Sequence, residues 1–426
     1  MSRVLVVGGG VVGLCVAQAC AQKGHRVVVV ERGVPERDGG SFANAGMIVP
    51  SHIVPLASPG VVEQGLRWMW NPASPFHVQP RLSGDLLDWG WKLWRAATAE
   101  HVERAAPVLR DLHLASRERY RAWAAQWDDA FELIEKGLLM LCRTEHGLEE
   151  EAAAAERARR LGIAAEVLTS SQIAAIEPAL RMTIAGGVHF KMDAHLTPAK
   201  LMAVLRRECE RLGVELRHQM EVRGWRLSAR RIDAAETASG AVAADEFVLC
   251  GGIWSTALAR ELGLRLPMQA GKGYSLTLED PPARPRTCAI LSEARVAMTP
   301  MAGALRFGGT MEIAGIDESV NPVRIDGIIR SVGEYLPDFT PSRFATAAVR
   351  TGLRPCSPDG LPYIGRFARF DNLSAATGHA MMGVSLAPVT GTLIAEIVSG
   401  EAPSIAIEAL SPDRYGEGYR RVERAA

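Results

Sequence analysis

Gly8, Gly10 and Gly13, followed by an acid at Glu31, are the residues whose types and spacing most plainly dictate a chemistry. A glycine at 8 permits a tight turn after a strand. One at 10 lets a pyrophosphate approach the backbone, and one at 13 lets the following helix close on the strand. The free amides and positive dipole end of that helix then meet the phosphates. Glu31 stands where ribose hydroxyls donate to a carboxylate. Without a ligand the same pattern would be a bare Rossmann-like corner. The flanking pattern favours the dinucleotide: 3–7 (RVLVV) is a β-branched strand, 14–22 an apolar helix stopped by Gly24, and 27–30 a second buried strand.

A second strand–glycine turn–helix module lies near the end of the chain: a short strand at 373–377, then Gly378 and His379, then an apolar helix over 385–398 stopped by Gly400. It presents another helix N-terminus to an electron-rich group. The stretch 39–46 (GGSFANAG) either brings backbone amides against a flat ring or is an ordinary surface loop. Residues 47–59, with three prolines, read as loop.

These features need elements to carry them. Helices are expected over 107–127 and 145–161, the second charged on most faces and therefore solvated. Thr197 as N-cap, Pro198 at the first helical position and Gly213 beyond the end bracket a helix running to 212. Segments 214–222 and 245–250, the latter ending in Gly251-Gly252, read as further strands of the nucleotide sheet. Apolar residues and glycines alternating between 267 and 314 read as antiparallel strands. Trp68, Trp70, Trp89, Trp91 and Trp94, five of the nine tryptophans, cluster within one segment. Such a cluster marks a buried core, a partner surface or a membrane-interface edge.

The 426 residues allow two domains, and 48% hydrophobic content supports substantial cores. Basic and acidic residues balance at 48 each, with no polyanion-binding tract, which argues against nucleic acid. Seven scattered cysteines without a CxxC argue for a reducing compartment and against a disulfide framework or a metal site. The glycines and Glu31 fit a nucleotide fold better than a signal peptide, and no uninterrupted apolar run reads as long enough to span a bilayer.

Together these motifs resemble the flavin-dependent amine and amino-acid oxidoreductases: the D-amino-acid dehydrogenases, glycine oxidases and D-amino-acid oxidases. The resemblance covers nearly the whole chain. Residues 41–46 (SFANAG), 273–277 (GYSLT) and 308–312 (GGTME) resemble the bacterial D-amino-acid dehydrogenases most. Gly352-Leu353-Arg354-Pro355 with Pro358-Asp359-Gly360 is shared with the glycine oxidases, and the 377–388 stretch is closer to the latter. The family implies an α/β fold, α+β overall. A Rossmann-type, glutathione-reductase-like FAD-binding domain (1–60, 150–255 and 341–426) would join a mainly antiparallel-sheet substrate-binding domain (61–149 and 256–340).

Carried over, the family implies FAD. The pyrophosphate would lie over Gly8, Gly10, Val11, Val12 and Gly13, with the adenosine ribose on Glu31 and Arg32 and the adenine against Val222. Ser41, Asn44, Ala45, Gly46, Met47 and Ile48 would line the pyrophosphate and isoalloxazine. Cys250, Gly251, Gly252 and Trp254 would pack along the cofactor, with Gly352 also in contact. Gly378, His379, Gly383, Val384 and Ser385 would meet the pyrimidine end. Covalent relatives, such as the monomeric sarcosine oxidases, use a cysteine several residues before a threonine–proline–aspartate turn. Here Cys356 abuts Ser357-Pro358-Asp359 and Leu353 stands near the earlier position, so the FAD is expected to be non-covalent.

The implied reaction oxidises a D-amino acid or cyclic imino acid to the imine and 2-oxo acid, with hydride passing from Cα to flavin N5 and electrons going on to a quinone or respiratory acceptor. The alternatives are an oxygen-using oxidase of glycine, sarcosine or proline-like amines, and a non-catalytic FAD-containing subunit or assembly factor. Arg354 is the expected carboxylate anchor, because a guanidinium holds a carboxylate with two prongs; its other reading is an ion pair with Asp359. Tyr274 either adds a hydrogen bond to the carboxylate or is simply buried. His379 reads as a flavin contact rather than a base, and His52 lies in a loop able to reach substrate. The partners expected are a small amino-acid substrate, with no metal and no nucleic acid. The location expected is cytoplasmic or peripheral on the inner face of the plasma membrane, through the tryptophan-rich segment.

Overall fold

Residues 4–7 of strand Arg3–Val7 are all buried, as expected of a β-branched run at the centre of a parallel sheet. Val4 and Val6 face one core, Leu5 and Val7 the other. The computed structural model describes residues 1–35, 39–68 and 74–416. In it, a six-stranded sheet runs in the order Tyr363–Arg366, Leu373–Thr377, Glu246–Leu249, Arg3–Val7, Arg26–Val30, Glu215–Arg217. Only the Tyr363–Arg366 pairing is antiparallel.

Helix Val11–Gln22 covers one face of this sheet and packs on the C-terminal helix Gly383–Val398. The two helices touch backbone to backbone: a Cβ on Gly391 would lie 2.5 Å from the Cys15 carbonyl oxygen. Contrary to expectation, the 19-residue stretch Ala380–Val398 is long and apolar enough to cross a membrane. Its composition reflects burial on nearly every side within the protein core, the other condition under which a helix is apolar all round.

The second large sheet has nine strands, mostly antiparallel. Its path runs Ala348–Cys356, Gln269–Leu278, Ala304–Ile313, Val296–Met301, Cys288–Leu291, Leu138–Cys142, Gly186–Phe190, Ala165–Thr169, with Phe76–Val78 added beside Ala304–Ile313. Sheet membership therefore departs from the expected segment division at two places. Strands Ala165–Thr169 and Gly186–Phe190 were expected with the nucleotide-binding part, as was Ala348–Cys356, yet all three hydrogen-bond within the nine-stranded sheet. Strand pairing is a long-range choice that local pattern does not encode. The expected 214–222 strand is in fact two: Glu215–Arg217 joins the six-stranded sheet, and Val222–Ser228 starts a separate three-stranded meander.

Helix Ala99–Gln126 begins well before Pro107, capped by the Thr98 side chain accepting from His101 N. A mid-helix proline costs about 3 kcal/mol; burial of Val102, Ala105, Ala106 and Leu109 along the same face offsets it. Thr197 does precede helix Pro198–Arg211, but its side chain does not cap it; the hydroxyl donates instead to Glu132 Oε2 at 2.6 Å. All seven cysteines are free and buried.

The tryptophan cluster divides. Trp89 is buried and its indole N–H donates to the Cys356 carbonyl at 2.9 Å. Trp91 and Trp94, on the same helix Gly84–Ala96, are stacked at 5.0 Å and remain 58% and 56% exposed, beside Leu87 at 70%. Trp68 lines the main cavity, and Trp70 lies outside the described residues.

Candidate active site

A cavity of about 1700 Å³ opens between the two large sheets, and most of the expected site residues line it. At one end stands the glycine turn. Gly8 has φ +115°, and a Cβ there would lie 2.6 Å from the Cys250 carbonyl oxygen. At Gly13 a Cβ would lie 1.9 Å from the Gly8 carbonyl oxygen, so this glycine serves the packing of helix on strand and does not reach the cavity. Gly10 is different. A Cβ there would meet only Ser41 Oγ, at 3.5 Å, and would project into open cavity. This is a cradle that a side chain would fill and a pyrophosphate fits.

Ser41 Oγ accepts from the Val11 amide at 3.0 Å, joining the glycine-rich 39–46 loop to the helix N-terminus. Glu31 accepts from the Gly9 and Gly33 amides at 2.7 and 2.8 Å, one on each carboxylate oxygen, leaving lone pairs for ribose hydroxyls. The Arg32 guanidinium lies 3.5 Å from the centroid of the Trp254 ring, so these two expected cofactor contacts support each other. Val222, Cys250, Gly251 and Gly252 complete this end, and Asn44, Ala45, Met47 and Gly352 carry the lining toward the other.

The N-terminus of helix Gly383–Val398, preceded by the turn Ala380–Met382, also faces the cavity through Gly383 and Val384. Five expected contacts do not line it: Gly13, Gly46, Ile48, Gly378 and Ser385. Gly46 and Gly378 hold positive φ against close neighbours, a Cβ falling 2.2 Å from the Leu196 carbonyl oxygen and 2.7 Å from the Tyr363 ring, respectively. Ile48 is fully buried on a short strand. Ser385 Oγ accepts from the Val49 amide at 3.0 Å and sits 2.9 Å from His113 Nδ1, tying the proline loop to the core. Gly13, Gly378 and Ser385 flank cavity-facing helix ends, whereas Gly46 and Ile48 alternate with the lining residues Ala45, Met47 and Val49.

Arg354 also lines the cavity. Its guanidinium lies flat over Gly273, where a Cβ would fall 2.3 Å from Arg354 Cζ, and it donates to the Thr310 carbonyl at 2.8 Å. Thr310 has φ +60° at a bulge in strand Ala304–Ile313, which turns that carbonyl toward the arginine. Burial disfavours the charge of Arg354, and among the described residues no carboxylate forms an ion pair with it. Asp359, the expected structural partner, is taken by Arg414 in a two-pronged pair at 2.7 and 3.0 Å. Burial pushes the Asp359 carboxyl up, but Arg414 outweighs it and holds the group below its usual range.

Tyr274 also lines the cavity, but from the strand face opposite to that of Arg354. In strand Gln269–Leu278, Gly271 pairs with Arg354, so the odd positions share its face, while Lys272, Tyr274 and Leu276 point to the other. There the Tyr274 hydroxyl donates to Glu312 Oε2 at 2.6 Å, packed with Leu276, Phe307 and Ile328. Burial first, then Glu312, raises its pKa to about 12.

His379 borders the cavity, but its Nε2 lies 2.9 Å from Thr390 Oγ1, whose own hydrogen goes to the Leu386 carbonyl. The ring therefore donates from Nε2, and burial pushes its pKa down to about 3, keeping it neutral. His52 lines the cavity from the proline loop, with its pKa lowered to about 4 by burial and the charge of Arg295. Sequence reasoning missed Arg306. It donates to the Phe42 and Asn44 carbonyls at 2.8 Å each and to Thr277 Oγ1 at 3.1 Å, clamping the 39–46 loop onto the nine-stranded sheet. The period-2 alternation around Gly308 was its one legible signal.

Residues 3–397 match the family described as FAD dependent oxidoreductase. A D-amino acid dehydrogenase of Methylobacterium nodulans is 36% identical over 97% of this chain and 99% of its own length. The fold is that of a glycine oxidase from Geobacillus kaustophilus, with a TM-score of 0.78 at 24% identity over 97% of this chain and 99% of that one. An L-proline dehydrogenase from P. horikoshii superposes with a TM-score of 0.75 at 16% identity, covering 98% of each chain.

Proposed function

The chain belongs to the family of FAD-dependent oxidoreductases, and from that premise we propose that it is a D-amino-acid dehydrogenase. One observation carries the reading: a cavity-lining arginine, Arg354, with no carboxylate paired to it among the described residues, facing the same cavity as the nucleotide cradle. An unpaired buried guanidinium is costly unless an anion meets it, and a substrate carboxylate is the anion of the proposed reaction. The 36% identical relative bears that activity in its name.

When bound, FAD supplies the acceptor for two electrons and the Cα hydrogen of the substrate. Gly8 to Val12, Ser41 and Glu31 would hold its pyrophosphate and ribose, and the N-terminus of helix Gly383–Val398 would stabilise negative charge on the ring system. Arg354 fixes the substrate carboxylate with two prongs, which sets the orientation of Cα. Gly273 keeps the floor under the guanidinium flat. Neutral His379 adds no charge. The cofactor is held without a covalent bond: Cys356 is fully buried, its thiol directed at the Arg354 carbonyl and absent from the cavity lining.

Leu87, Trp91 and Trp94 recur at i, i+4 and i+7 on helix Gly84–Ala96, an exposed apolar face suited to the lipid headgroup boundary. This supports peripheral attachment to a membrane, where a lipid-soluble quinone would receive the electrons. Anaerobic mixing of the FAD-loaded protein with D- and L-amino acids tests the function. Bleaching by D-enantiomers, with little peroxide formed in air, is the expected result. Bleaching confined to L-enantiomers, or none by any amino acid, would overturn it.

A further inference from the structure

The proline loop carries a hydrogen-bonded chain that neither the cradle nor the arginine uses. Ser51 Oγ lies 3.1 Å from His52 Nδ1 and 2.5 Å from Asp193 Oδ2, and the Ser51 amide donates to Asp193 Oδ1 at 3.0 Å. Ser51 and His52 line the cavity, while Asp193, in the turn after strand Gly186–Phe190, is 1% exposed. The carboxylate meets Ser51 with both oxygens, one accepting from the amide and the other from the hydroxyl, at the cost of burying an ionisable group. An ionisable group retained at such a cost, linked to a histidine in a cavity, is the pattern of a functional site.

We propose that His52, Ser51 and Asp193 form a proton relay that takes the surplus proton from the substrate's ammonium group as it binds. The relay rests on the amine-oxidising function proposed above, since only a neutral amine lets Cα give up its hydrogen with the bonding pair. The proton count closes at each link. An ammonium N–H breaks and His52 Nε2 gains a hydrogen. His52 Nδ1–H passes to Ser51 Oγ, and the Ser51 hydroxyl hydrogen passes to Asp193 Oδ2. The net change is ammonium plus carboxylate to amine plus carboxylic acid, with no change of oxidation state; transfer back to water resets the chain.

The electrostatics suit this direction. Arg295 and His113 face His52; burial first, then Arg295, keeps it from holding the proton. Arg117 and Cys288 face Asp193. There burial outweighs the bonds from Ser51 and the charge of Arg117, raising the carboxyl to about 7, near neutrality, where it can both accept and release. His52 is the residue that touches substrate; Ser51 and Asp193 act through it.

The test is rapid-mixing reduction of the FAD-loaded protein by a D-amino acid across pH, for the unaltered chain, Ser51→Ala, Ser51→Thr and Asp193→Asn. In the unaltered protein the rate should rise with pH through about 7, as Asp193 becomes a carboxylate. Ser51→Ala and Asp193→Asn should lose that limb and run on the order of a hundred-fold slower at neutral pH. They should converge with the unaltered protein at high pH, where substrate arrives as free amine, and Ser51→Thr should keep the limb. Infrared difference spectra of the resting protein should show one protonated carboxyl band titrating near 7, absent from Asp193→Asn. An unchanged pH limb in Ser51→Ala, or slowing by one constant factor at every pH, overturns the relay while leaving the function intact. If no amine reduces the unaltered protein, the function falls and the relay with it.

Discussion

Under the proposed function, the two parts of the cavity would recognise their ligands in opposite ways. The nucleotide end is made of what is missing: Gly10 leaves open space and the amides of a helix N-terminus are exposed to it. The substrate end is made of one large side chain, Arg354, held flat by the absence of another at Gly273 and by a carbonyl turned toward it at Thr310. Backbone recognition tolerates almost any identity that leaves room. Side-chain recognition depends on a single group and on its support from two neighbouring strands.

The comparison breaks most completely at Gly10. Gly10→Val should purify colourless, since its side chain fills the pyrophosphate's approach. The thermal midpoint of its cofactor-free form should match that of the cofactor-free original, because no packed atom is displaced. Calorimetry beside the visible spectrum checks both. Gly13→Ala sharpens the point: its methyl would lie 1.9 Å from the Gly8 carbonyl oxygen, so the fold itself should lose about 1–3 kcal/mol or more in chemical denaturation. A colourless but equally unstable Gly10→Val would erase the distinction between the two glycines.

At the other end, Arg354→Ala should cost roughly 3–5 kcal/mol by leaving a bound carboxylate without its charged partner. That corresponds to about two to four decades in kcat/KM, with FAD retained. Arg354→Lys should recover only part, since an ammonium cannot reproduce the two-pronged geometry. Near-normal kinetics in the alanine variant would place the anchor elsewhere. Gly273→Ala puts a methyl 2.3 Å from Arg354 Cζ. Displacing the guanidinium should raise KM by roughly ten- to a hundred-fold, about 1–3 kcal/mol, with the cofactor spectrum unchanged. The smallest effect on the fold is expected outside the cavity: replacing both Trp91 and Trp94 by serine should shift stability by no more than about 0.5 kcal/mol. It should nonetheless abolish sedimentation with lipid vesicles, which undiminished co-sedimentation of the double variant would contradict.

What could be read in advance follows the same division. The cradle was legible because its residues are consecutive: strand, glycine turn, helix and acid all lie within the first 31 residues, and each constraint acts over a few bonds. The final strand, Leu373–Thr377, and the apolar helix after it were legible for the same reason. Arg354 was visible through family likeness, but its isolation from Asp359 was not, because Arg414, which captures that acid, comes from the far end of the chain.

Tyr274 shows most clearly where sequence stops. It stands next to Gly273, the floor under Arg354, yet a one-residue step along a strand reverses the face, and only the register with Ala348–Cys356 says which face is which. The tryptophans, the three unexpected strands of the nine-stranded sheet and the Arg306 clamp belong with it. Sequence by itself determined the local backbone: where strands and helices form, where glycine is required, and the cradle at a helix N-terminus. Tertiary structure alone decided which side chains meet, because pairing register and the closing of one sheet over another are set by the summed burial of residues distant in the chain.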